Sequence, residues 1–61
     1  MILQDQLNAL HNARTPEALR TELEFAQRRF VHDPASMEAI SGAYHHRRAQ
    51  LADERNARRA V

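Results

Sequence analysis

Residues 15–34 read TPEALRTELEFAQRRFVHDP. The stretch opens on one helix start and closes on the next, and this punctuation decides the fold. Thr15 is an N-cap residue whose hydroxyl suits a free backbone N–H, and Pro16 pre-sets the first helical dihedral. Glu17 places a negative charge near the positive end of the helix dipole. Leu19, Leu23, Ala26 and Phe30 then recur at helical spacing, so the spacing predicts a helix over 16–31. Phe25 and Val31 fall off that stripe, either as peripheral core or as contacts for a partner. Asp33-Pro34 repeats the start signal and opens a further helix.

Upstream, Leu3, Leu7 and Leu10 recur on one face, widened by Ile2, Ala9 and Ala13, which predicts a helix over 3–13. Asn12 to Thr15 form the turn. Downstream, Met37, Ile40, Tyr44 and Leu51 share a narrow arc at 100° per residue. Large apolar residues stop after Leu51, but good helix formers continue, so the third helix is expected over 34–60. At 1.5 Å per residue it reaches about 39 Å, against about 24 Å and about 16 Å for the second and first. About two turns are left without cover from the rest of the chain. Gly42, the only glycine, stands inside this helix, where it permits a close crossing or a bend, or is simply tolerated.

The expectation is an all-α, single-domain, three-helix bundle over 1–61: a helical hairpin packed on the first half of a longer C-terminal helix. Leu3, Leu7, Leu10, Leu19, Leu23, Phe30, Met37, Ile40, Tyr44 and Leu51 are the expected core. A chain of 61 residues hides only about 60% of its unfolded surface. Small chains often offset this with disulfides, a metal or self-association. There is no cysteine, which removes disulfides and thiolate metal sites. A homo-oligomer is therefore expected, with Tyr44, Leu51, Phe25 and Val31 as interface candidates.

All nine basic residues are arginine, and alanine is the commonest residue. GC-rich codons produce this pattern, and so does selection for the planar guanidinium that pairs with carboxylates and phosphates. The net charge is +1, but it is unevenly spread. Residues 1–42 hold four Arg against six acids, and residues 43–61 hold five Arg against two acids. On the third helix, Arg48 and Arg55 align with Met37 and Arg58 aligns with Ile40, while Arg47 and Arg59 flank them. The apolar stripe thus turns into an arginine stripe. Arg47, Arg48, Arg55, Arg58, Arg59 and His45 are the candidates for contact with a protein partner or a phosphate. Against these stands a plain solvated helix end, with Glu54 and Arg58 as an i,i+4 pair. With one Tyr and two Phe there is little stacking surface for single-stranded nucleic acid. The helix also lacks the mixed Asn/Gln and Arg array of a major-groove reader.

His45 and His46 point about 100° apart on a helix and do not chelate one ion from one face. His11 and His32 would have to join from other elements, so no metal site is expected. Glu38, Ser41 and His45 share a stripe in the order acid, hydroxyl, base. Without an oxyanion hole or a pocket this is not a nucleophile system, and no catalytic residue or cofactor is assigned. No apolar run approaches the ~20 residues of a membrane span. Met1-Ile2-Leu3 is followed at once by Gln4 and Asp5, unlike a secretory leader. A cytoplasmic location is expected.

The run ILQDQLNALHNARTPEALRTEL with the later AISGAYHHRRAQL resembles short helical proteins encoded among phage and mobile-element accessory genes. The shared features are a leucine stripe, an Ala-x-Thr-x-Glu turn and an Ala-Tyr-x-x-Arg segment. The resemblance implies a protein that works by binding and that modulates or inhibits a host factor. It implies no particular active residues. The outline TPEALRTELEFAQRRFVHDP followed by MEAISGAY also resembles a J-domain. J-domains engage a heat-shock chaperone through His-Pro-Asp in a long loop. Here the order is His32-Asp33-Pro34 with almost no loop, so no J-domain site is carried over. The leading expectation is a non-enzymatic binder of a host protein. The alternative is a nucleic-acid or nucleotide binder that uses the arginine-rich helix.

Overall fold

The computed structural model describes residues 3–59, with Arg59 described as backbone only. Ile2, expected on the first apolar stripe, and Ala60, expected to end the third helix, lie outside the described residues. So does the side chain of Arg59.

Three helices form an all-α bundle: α1 (Leu3–His11), α2 (Pro16–Arg29) and α3 (Pro34–Arg59). Both helices of the hairpin pack on α3 as well as on each other. The long dimension of 44 Å is close to the length of α3 alone, about 39 Å at 1.5 Å per residue. The other two dimensions are 16 and 15 Å, so α3 is the rod on which the hairpin is mounted.

Both hairpin helices stop two residues short of the expected ends. α1 ends at His11 rather than Ala13. Asn12 N–H still reaches Asn8 O at 3.0 Å, but Ala13 N–H tightens onto Leu10 O at 3.2 Å. The cause lies downstream. A residue before proline avoids the helical region, and Thr15 sits extended at φ −131°, ψ 155°, so the chain must leave the helix first. α2 ends at Arg29 rather than Val31. Phe30 leaves the helix at φ −111°, ψ 24° while its N–H holds Ala26 O. This brings the ring onto the core and leaves Val31 on the exposed turn.

The two helix starts form as their residues dictate. Thr15 Oγ1 accepts from Ala18 N–H at 3.1 Å. Asp33 accepts the Ser36 backbone N–H at 3.3 Å and the Ser36 hydroxyl at 2.7 Å. Ser36 is buried, so its hydroxyl needs this partner.

The core is smaller than the leucine stripes suggest. Leu10, Ala13, Leu19, Ala26, Ile40 and Leu51 are buried, with Leu3, Leu7, Leu23, Phe30, Ala43 and Tyr44 packed against them. Met37, expected in the core, is only half-buried and lies outside this cluster. Ala13 and Ala26 are buried in the cluster and Ala43 packs against it, so three of its positions carry only a methyl group. Gln6 is buried as well, and its Nε2 donates to Glu22 Oε2 at 3.3 Å. Gly42 is exposed and a Cβ added there would meet nothing within 4 Å. It serves no close crossing within the subunit.

Candidate functional site

The last buried residue of α3 is Leu51, and Ala52 to Arg58 are all exposed. Eight residues, 52–59, therefore continue the helix for about 12 Å beyond the hairpin. The face that points into the core earlier in α3 carries Ile40, Tyr44 and Leu51. One hundred degrees per residue brings Arg55 and Arg58 onto the same face. Beyond the hairpin these arginines occupy positions that would otherwise be apolar.

The expected arginine stripe divides into distinct parts. Arg47 turns inward. Its Nε donates to Ala13 O at 2.8 Å and its Nη1 to Gln50 Oε1 at 3.2 Å. Ala13 O belongs to the frayed C-terminal end of α1, where carbonyls lack helical partners. A charged donor from another helix satisfies one of them and sits favourably at the negative dipole end. Arg47 is thus committed within the subunit rather than presented to a partner. Arg48 and Arg55 come together instead. With Pro16, Ala52 and Asn56 they line an open groove of about 440 Å³ between the start of α2 and the free end of α3. Two guanidinium groups on one wall offer forked donors suited to carboxylates or phosphates. Arg58 lies one turn further along and is exposed.

His45 is exposed and its ring lies edge-on to Tyr44, centroids 5.3 Å apart. His46 meets His11 across the α1–α3 seam at 6.2 Å, also edge-on. The adjacent histidines of α3 therefore serve different neighbours. Among the described residues no three potential metal ligands come together. Glu38, Ser41 and His45 all face solvent. Among the described residues no helix is long and apolar enough to cross a membrane.

The four candidate interface residues also separate. Leu51 is buried and Tyr44 packs against the core, so both are used within the subunit. Val31 is exposed on the α2–α3 turn, at the opposite end from the free turns of α3. Phe25 is 48% exposed, with the Arg29 guanidinium 5.1 Å above its ring. It lines a second groove, of about 350 Å³, on the outer side of the hairpin, with Asp5, Gln6, Ala9, Thr21 and Glu22. Sequence periodicity did not reveal this groove. The available signal was Gln6, which stands three residues after Leu3 and four before Leu10 on the inward stripe. A polar residue there needs a partner, and Glu22 on α2 supplies it. Among the described residues, the side-chain ion pair within 4 Å is Arg20–Glu24, and it is exposed. Among the described residues no arginine lies within 4 Å of the Asp5 or Glu22 carboxylate.

Compared with protein-family models, curated proteins and solved structures, the chain has no match.

Proposed function

We propose that this chain is a small non-enzymatic interaction protein, of the kind carried as phage or mobile-element accessory factors. In this reading it acts in the cytoplasm by binding, and so modulating or inhibiting, a host protein through the free end of α3. One observation carries the reading. The core-facing stripe of α3 runs on for about two turns past the hairpin, and there Arg55 and Arg58 replace the apolar residues. A helix end retained only for its own subunit would stop near Leu51, where burial stops. Arginine stems cover apolar surface while their heads reach carboxylates, so an acidic protein surface is the fitting partner.

The test is capture from nuclease-treated host lysate with the full chain as bait. A triple variant, Arg48→Glu with Arg55→Glu and Arg58→Glu, serves as comparison. All three residues are exposed, so the variant keeps its helical circular dichroism. The expected result is a protein captured by the natural chain and lost with the variant. Equal capture by both would overturn the reading. A second reading, binding of nucleic acid or a nucleotide, is favoured by Arg48 and Arg55 sharing one groove with Asn56. It expects retention on DNA, RNA or cyclic nucleotides at low salt that falls steeply as salt rises.

A further inference from the structure

The free turns of α3 and the outer groove of the hairpin have complementary chemistry. The groove holds two carboxylates, Asp5 and Glu22, around the half-exposed ring of Phe25. The inward-facing stripe of the free turns holds Arg55 and Arg58. The Oε2 atom of Glu22 is steadied by the Gln6 amide at 3.3 Å, so one carboxylate of the groove is already oriented by a buried side chain.

The lengths agree too. From His11, where α1 ends beside the departing α3, back to Asp5 is about 9 Å at 1.5 Å per residue. On α2, Pro16 to Glu22 spans about 9 Å from the same end. The free turns of α3 measure about 12 Å. A helix end entering from beyond the bundle and lying along the hairpin therefore brings the long Arg58 side chain toward Asp5 and Glu22, the α1–α2 turn of residues 12–15 taking up part of the span.

Within one subunit this contact is impossible, because α3 runs outward and its free end points away from its own hairpin. We infer that the groove of Asp5, Glu22 and Phe25 receives the free end of α3 from a second copy of this chain, forming a two-fold dimer. The topology permits closure. The residues that line the groove belong to α1 and α2, the two helices of the hairpin. A two-fold axis perpendicular to the rods, at the end of the hairpin, sets the two hairpins end to end. Each free end then reaches the outer side of the other hairpin, giving two identical contacts with neither left open. The core-facing stripe of α3 is continuous through this arrangement: Ile40 and Leu51 meet their own hairpin, Arg55 borders the start of its own α2, and Arg58 meets the partner's hairpin.

This inference rests on reading the free turns as an interaction surface, and it names what occupies them when no other partner is present. An acidic host protein would then have to displace the second copy.

Sedimentation equilibrium across micromolar concentrations tests it. The natural chain is expected at twice the chain mass, and Arg55→Glu with Arg58→Glu at the mass of one chain. Asp5→Arg with Glu22→Arg is also expected at the mass of one chain. An equimolar mixture of these two variants is expected to recover the dimer, because each acquires the complement of the other. A general loss of folding cannot produce that rescue. A natural chain that stays monomeric, or a mixture that stays monomeric, overturns the pairing. Lysate capture that still depends on the arginines would in that case leave the proposed function standing.

Discussion

At the scale of single residues, similar side chains take unlike roles because of what lies opposite. Arg47 and Arg48 are neighbours in sequence, yet Arg47 bonds Ala13 O across the α1–α3 seam while Arg48 lines an open groove. Removing Arg47 leaves a carbonyl at a helix end without its charged partner. We expect Arg47→Ala to cost about 1–2 kcal/mol, discounted from the usual value for a charged hydrogen bond because the side chain is half-exposed. Urea unfolding measures this, and Arg48→Ala should cost nothing measurable. Asp33 illustrates the other kind of residue-level control. The Ser36 hydroxyl, the Ser36 backbone N–H and the Ala35 N–H hold its carboxyl below the usual range, against slight desolvation. The lowered value means the folded state prefers the ionised form. Its stabilising effect is complete above the unfolded carboxylate value, about 4, and is lost as pH falls through the lower folded value. Asp33→Asn keeps a capping side chain and cannot ionise, so the acid limb of the stability–pH curve should become shallower.

At the scale of elements, α3 is set by competing demands. Its first two-thirds must pack, with Ser36, Ile40 and Leu51 buried and Ala43 and Tyr44 against the core. Its last turns, residues 52–58, are exposed and persist through propensity, being rich in Ala and Arg. Gly42 belongs to neither demand. A Cβ there meets open space, so only the cost of glycine in a helix interior remains. Gly42→Ala should stabilise by about 1 kcal/mol, which for a domain of this size raises Tm by about 4–8 °C. A calorimetric scan decides it, and a fall in Tm would mean that the glycine has a contact outside the subunit.

At the scale of the whole molecule, the bundle is small and the buried set is modest: three leucines, one isoleucine and two alanines. Such a core leaves a narrow margin against the entropy of ordering the chain. Association that occurs only in the folded state adds to that margin by mass action. The pairing of free α3 ends with hairpin grooves therefore predicts a Tm that rises with protein concentration. With Arg55→Glu and Arg58→Glu the midpoint should become independent of concentration. A natural chain whose midpoint does not move across a hundredfold dilution would count against the dimer.

Local chemistry alone settled the number of helices, their starts and the overlong third one. Thr15-Pro16 and Asp33-Pro34 act through dihedrals and N–H groups within a turn of themselves, and the spacing of Leu and Ile tells which face turns inward. The ends of α1 and α2 were less legible: Thr15-Pro16 requires the chain to leave α1 but does not fix the residue at which it does so, and Phe30 leaves α2 where its ring meets the core. Which arginines are free was not legible either. Arg47 and Arg58 lie on the same helix face, and only packing shows that Arg47 meets Ala13 O while Arg58 stands exposed. The groove of Asp5, Glu22 and Phe25 likewise needs two helices side by side, because its parts come from segments that only packing brings together.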